Sequence, residues 1–176
     1  MNSVSLSHSL SERGYLNTCH GDLLMWFMNK IANPFVRLIL LSPLHGLMSA
    51  TLLLFTYRGR KSGKEYSLPV QYVQDGHHIY IVPGMPEQKI WWRNLQSSAP
   101  VQINLRGKSL AGTGVLLKQD TDSETMVKGF SLYLQRFPAL TKYYKIRVEE
   151  DGIFNAGDLR KAARVATIIQ VELNQK

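Results

Sequence analysis

Cysteine is almost absent from this chain: Cys19 stands alone, so no disulfide can close within it, and a reducing compartment is expected. Acidic residues are scarce beside basic ones, thirteen Asp and Glu against twenty-one Lys and Arg. The resulting net charge of +8 favours anionic partners: a phosphorylated cofactor, a lipid surface or nucleic acid. Long apolar runs are missing too. The most apolar stretch, Leu23 to Tyr57, is interrupted by Lys30, Pro34, Arg37, Pro43, His45 and Gly46. No unbroken apolar run there reaches the roughly 18 residues of a spanning helix. Residues 1–13 are rich in Ser and have neither a basic start nor an apolar stretch, so no signal peptide is expected. The expected location is cytoplasmic, or peripheral to the inner face of the membrane.

Two further absences narrow the chemistry. No Gly-x-Ser-x-Gly elbow or other nucleophile motif is present. No Cys/His or His/carboxylate cluster has ligand spacing, and no metal site is expected. His77 and His78 are neighbours on an expected strand, so their side chains point to opposite faces and cannot chelate one ion together.

What is present reads as one packed domain over residues 21–176, after a polar, flexible stretch 1–20. Leu23 to Asn29 predicts a short apolar helix, and Asn33-Pro34 opens a second helix toward Leu41. From Thr51 the apolar period shortens, and Thr51–Tyr57 reads as a strand buried on both sides. Strands are expected at 65–74 and 77–82 around an Asp75-Gly76 hairpin turn. A short helix follows over Glu87–Ser98, then strands near 101–106 and 109–118. Thr121 and Glu124 form a candidate capping box, with Met126, Phe130, Tyr133 and Phe137 at helical spacing behind it. Val165, Thr167, Ile169, Val171 and Leu173 alternate through a final strand. About six mainly antiparallel strands with peripheral helices make an α+β barrel, not a parallel βαβ sheet.

The densest polar feature is a turn. Arg58, Arg60, Lys61 and Lys64 put four cations within seven residues, beside Gly59, Ser62 and Gly63. Glycine lets backbone N–H groups approach an anion, Arg60 suits bidentate recognition and Lys61 supplies a point charge. The plain alternative is a solvated hairpin turn. A P-loop is excluded: it needs four residues between its glycines and Ser or Thr after the lysine, whereas three separate Gly59 from Gly63 and Glu65 follows Lys64.

The run Gly59-Arg60-Lys61-Ser62-Gly63-Lys64, then Leu68-Pro69-Val70 and Asp75-Gly76, resembles the deazaflavin-dependent nitroreductases and the quinone reductases that use coenzyme F420. Trp91-Trp92-Arg93-Asn94-Leu95 and Ala99-Pro100-Val101 are similar to that family's Trp helix and following strand. The similarity spans roughly residues 30–170. It implies a flavin-binding split β-barrel like that of pyridoxamine-phosphate oxidases, commonly a homodimer. It further implies that Arg60, Lys61, Ser62 and Gly63 hold the cofactor's phosphate and polyglutamate tail. Pro69, Trp91 and Asn94 would also line the cofactor, and Tyr143 would face the substrate as a proton donor. The sequence departs from the family at Tyr66, where a third basic residue is common, and in a short 83–88 loop.

The leading expectation is hydride transfer from reduced F420 to a small quinone or nitro-type acceptor. FMN and haem stay open as cofactors. So does a non-catalytic barrel holding a fatty acid, haem or flavin. Trp91 is equally at home in a core, and Tyr143 in a core or interface. The apolar region 23–41 either packs against the barrel or a partner copy, or meets a lipid surface. Nucleic acid rests on charge alone and ranks last.

Overall fold

The computed structural model describes residues 33–174; the expected helix at 23–29, the 1–20 stretch and Cys19 lie outside them. The chain runs through α1 (Asn33–Leu41), a 3-10 turn (Pro43–Leu47), β1 (Leu52–Arg58), β2 (Glu65–Gln71), β3 (Val73–Asp75) and β4 (His78–Ile81). A 3-10 turn (Trp91–Leu95) leads into β5 (Ala99–Leu105) and β6 (Lys108–Leu116). Then come α2 (Gln119–Arg136), α3 (Leu140–Tyr143), α4 (Ala156–Val165) and β7 (Ile169–Leu173).

All seven strands join one sheet in the order β2-β1-β5-β6-β7-β4-β3, and every pairing is antiparallel. The two edge strands are consecutive in the chain, with only Tyr72 between them. Two residue steps span at most about 7 Å, so the sheet must roll until its edges meet at that corner. The result is a barrel split along the rest of its seam. The stretch 65–74 therefore supplies two strands where the sequence suggested one, which raises the count from six to seven. Tyr72 is buried at the corner and its hydroxyl donates to the Ser49 carbonyl at 2.9 Å.

Period-two alternation fills the barrel. Leu53, Phe55 and Tyr57 of β1 face Ile79 and Ile81 of β4, Val101, Ile103 and Leu105 of β5, and Val171 of β7. Leu54 points the other way yet is also buried, on a strand that α1 packs against. Further along β1 the outward residues open up: Thr56 is half-buried and Arg58 exposed.

A second core lies outside the barrel. Met126, Phe130, Tyr133 and Leu134 of α2 meet Leu159, Ala162 and Ala163 of α4 around Tyr80 and Val82. The contact is close because α2 presents Gly129 to the Tyr80 ring; a Cβ there would run into the ring. Tyr133 is buried, which pushes its phenol far above the ordinary range, and its hydroxyl reaches the Val82 carbonyl at 3.4 Å.

Three sequence expectations change. Val165 and Thr167 are not in the last strand: Val165 ends α4, and β7 starts at Ile169. The Asn155 side chain caps that helix by accepting the Asp158 N–H at 3.1 Å. Two of its three buried residues, Ala162 and Ala163 beside Leu159, are too short in side chain to stand out as apolar periodicity. The Thr121–Glu124 capping box also does not form. The helix begins earlier, and the Asp122 carboxylate accepts both the Lys118 N–H at 2.8 Å and the Thr121 hydroxyl at 2.9 Å. A charged acceptor at a helix start outcompetes a hydroxyl cap. Finally, Glu87–Ser98 contains only the 3-10 turn at Trp91–Leu95, following a loop held by Trp92 Nε1 on the Pro86 carbonyl at 3.0 Å.

Candidate functional site

The basic turn joins β1 to β2, whose last pair is Arg58 and Glu65. Backbone bonds close it: Gly59 N–H to Lys64 O and Gly63 N–H to Gly59 O, both at 2.8 Å. Gly63 adopts φ of 64°, a left-handed conformation that costs glycine nothing sterically. Gly59 is demanded by space, because a Cβ there would lie 2.6 Å from Ser62 Oγ and 2.9 Å from the Tyr66 ring.

Most of the turn's amides already have partners. Arg60 N–H donates to Asn94 Oδ1 at 2.9 Å, and Lys64 N–H to Ser62 Oγ at 3.3 Å. With Gly59 and Gly63 also engaged, the amides of Lys61 and Ser62 are those with no partner among the described residues. The side-chain cations are freer. Arg60 Nη2 reaches Gln96 Oε1 at 3.3 Å, while Arg58, Lys61 and Lys64 have no ion-pair partner among the described residues. Positive charge that is neither paired nor buried is what a polyanionic tail requires.

The second motif lies against the first. Asn94 Nδ2 donates to the Trp91 carbonyl at 2.8 Å, so one side chain bridges the Trp turn and the basic turn. Trp91 is half-buried, 5.6 Å from the Phe55 ring and 6.1 Å from Tyr57. Tyr57 in turn stacks on Tyr66 at 5.6 Å, and Tyr66 bonds Ser62 at 3.2 Å. Burial, with the Tyr66 phenol beside it, pushes the Tyr57 phenol up. A ladder of aromatic rings thus leads from the barrel core to the turn.

Beside the turn, a groove of about 430 Å³ runs over Thr56, Arg58, Glu65, Pro100 and Gln102. Two of its lining side chains are held by neighbours: Thr56 and Ser67 bond at 2.7 Å, as do Gln102 and Ser109. A hollow of about 570 Å³ between α2 and α4, lined by Ser123, Met126, Arg160 and Arg164, is larger but touches none of the motif residues. The smaller groove is the better candidate, because Arg58 and Glu65 connect it directly to the turn. Its size suits a small-molecule ring system, and the unpaired cations next to it suit that molecule's anionic tail.

Of the residues singled out by sequence, Arg60, Lys61, Ser62, Gly63, Trp91 and Asn94 come together in this corner. Pro69 is half-buried opposite Leu54 on edge strand β2, where its missing N–H is tolerated. Tyr143 is elsewhere in the contact network. It is 69% exposed on α3 and meets Tyr144 edge-on at 4.9 Å; Tyr144 packs on Phe130 at the same distance. No hydrogen bond or ring contact among the described residues joins Tyr143 to the turn or to Trp91. Sequence reasoning missed Gln96, and it noted Tyr66 only as a departure. Thr56 was missed as well, because Thr51–Tyr57 reads as a strand buried on both sides, and Arg58 was counted only with the turn; the Arg60–Asn94 bridge, 34 residues apart, left no local signal.

Comparison with known proteins gives the fold and the family. A solved F420-H2 dependent reductase, FDR-A, superposes with a TM-score of 0.51 at 21% identity, covering 69% of this chain and 94% of that one. A structure described as a domain-swapped dimer gives 0.50 at 19% identity, covering 69% and 80%. At such identities these likenesses establish the split-barrel fold. No curated protein matches the chain. The family model for F420H(2)-dependent quinone reductases matches residues 41–145, a span that includes the basic turn, the Trp turn and the groove residues. The chain belongs to the F420H(2)-dependent quinone reductase family.

Proposed function

We propose that this chain is an oxidoreductase that passes hydride from reduced coenzyme F420 to a small acceptor of the quinone or nitro type. One observation carries the reading: the family match runs through two motifs that the fold locks into one corner through Arg60 N–H and Asn94. The side chains of Arg60, Lys61 and Ser62, with the turn shape that Gly63 permits, hold the anionic tail. Pro69 walls the ring on the groove's face of the sheet, and Trp91 supports the turn from the barrel side. When bound, F420H2 supplies the hydride, as cofactors do in redox enzymes. The chain supplies binding, orientation and exclusion of water.

The test is a titration of the full chain with F420 and, separately, with FMN, followed by menadione added to the F420H2 complex. Micromolar or tighter F420 binding and menadione-dependent oxidation of F420H2 are expected. Binding of neither cofactor, or tight binding without oxidation, overturns the reading.

Two surfaces extend it. The outward face of β5, β6 and the Thr56 end of β1, beyond the part of β1 that α1 covers, carries Thr56, Gln102, Ser109 and Thr113, and this face is where a second copy packs in a homodimer. Sedimentation giving a monomer at working concentration would reject that. On α1 and the turn after it, Phe35, Leu38, Leu41 and Leu44 are all more than half exposed, at helical spacing and next to Arg37. No helix among the described residues is long and apolar enough to cross a membrane, so this stripe lies on a lipid surface at the inner face of the membrane. Leu38→Asp should abolish co-sedimentation with anionic vesicles; unchanged binding would remove the stripe from the contact.

A further inference from the structure

The basic turn is fixed by a contact from outside itself. Asn94 gives both ends of its amide to main chain: Oδ1 accepts from Arg60 N–H at 2.9 Å and Nδ2 donates to Trp91 O at 2.8 Å. That is how a strut is bonded. The turn it holds has two glycines and stands at a hairpin tip, so unheld it would sample many shapes. Ordering such a loop at the moment of binding costs affinity, and ordering it beforehand removes that cost. The strut also settles which amides are available. Arg60 N–H is taken, Gly59 and Gly63 close the turn on itself, and Lys61 and Ser62 keep theirs for a ligand.

Gln96 plays a different part. Its Oε1 accepts from Arg60 Nη2 at 3.3 Å on an exposed surface. A long bond from a guanidinium to a neutral amide is weaker than one to an anionic oxygen. It aligns Arg60 while the site is free and yields when an anion arrives.

We propose that Asn94 is a positioning residue that sets the basic turn in its anion-receiving shape before the cofactor binds, and that Gln96 is a placeholder which the cofactor's anionic oxygen displaces from Arg60. The inference rests on the reading of the turn as the seat of the F420 tail. It moves Asn94 from the cofactor's wall to the support behind it.

The experiment measures two things on the full chain: exchange of the individual Arg60 and Gly63 amide protons in the free protein by NMR, and affinity for oxidised F420 by fluorescence titration. Asn94→Ala should speed Arg60 exchange about tenfold or more while Gly63, bonded within the turn, changes less. Its F420 dissociation constant should rise about tenfold, equivalent to about 1.4 kcal/mol. Asn94→Asp keeps an acceptor for Arg60 N–H, so Arg60 protection should return. Gln96→Ala should bind F420 as tightly as wild type or about twofold tighter. Unchanged Arg60 exchange in Asn94→Ala overturns the strut whatever happens to binding. Faster exchange with unchanged affinity overturns its positioning role. A tenfold loss in Gln96→Ala makes Gln96 a ligand contact and overturns the placeholder. Wild-type protein that fails to bind F420 overturns the cofactor reading, and the positioning role with it. That outcome stands apart from the others because it appears before any substitution is made.

Discussion

One sheet supplies both halves of this molecule, and the two treat its outer face in opposite ways. Outside β4, Tyr80 is sealed beneath α2, where Gly129 leaves room for its ring and no more. Outside β1 and β5, Thr56, Arg58 and Gln102 are half-buried or exposed, beside a groove and a turn of uncompensated cations. Under the helices a side chain is selected by fit, since packed interiors tolerate neither voids nor overlap. On the bare face it is selected by charge and hydrogen bonding. Substitutions in the two regions should therefore separate cleanly, the first changing stability and the second changing binding.

The largest effect tests the sealed region. Gly129→Val drives two methyls toward the Tyr80 ring and should cost about 3 kcal/mol, at the upper end of what overpacking costs. Denaturant unfolding measures it, and the fraction that remains folded should bind F420 like wild type. A loss under about 1 kcal/mol would mean that α2 lifts off the sheet easily, and the contrast between sealed and bare faces would weaken. Next comes the bare region. Arg60→Ala with Lys61→Ala should weaken F420 binding by about a hundredfold, or about 2.7 kcal/mol for two charge-assisted contacts. Neither side chain is packed, so the unfolding midpoint should stay where it is. A marked loss of stability with unchanged affinity would reverse the assignment of the two regions.

The two regions also differ in how far the sequence reveals them. The bare side was largely legible, because its features are short and local. Gly59 to Lys64, and the alternation that sets Gln102 and Asn104 on the opposite face from Val101, Ile103 and Leu105, each fall within a few residues. The sealed side was legible where its side chains are large: Met126, Phe130 and Tyr133 predicted the buried face of α2, and all three are buried. It was misread where they are small. Ala162 and Ala163 hid the inner face of α4, and Val165 was drawn into a strand pattern that begins only at Ile169. What joins distant positions left no trace on either side. The closure at Tyr72 and the Arg60–Asn94 bridge depend on the rolled sheet, and no window of sequence contains both partners of the bridge.

The smallest effect sharpens the comparison at the edge of the helical layer, where charge does appear. Asp158, in the first turn of α4, takes Arg147 Nε at 2.7 Å and Nη2 at 3.3 Å on its two carboxylate oxygens, and the Arg147 N–H at 3.3 Å. The Arg147 side-chain bond holds its carboxyl below the usual value, against desolvation, which alone would raise it. A carboxyl whose folded pKa is depressed adds stability that is complete above its unfolded value, about 3.9. That contribution is lost as pH falls through the folded value. The difference in unfolding free energy between wild type and Asp158→Asn should therefore be level from about pH 5 to 8 and shrink in more acid solution. Screening by solvent keeps it small, and F420 affinity should not follow it, because neither partner belongs to the bare face. A difference that grew in acid would show that the pair opposes folding. A parallel change in F420 affinity would show that α4 communicates with the turn, and the division of the sheet into a structural side and a binding side would no longer hold.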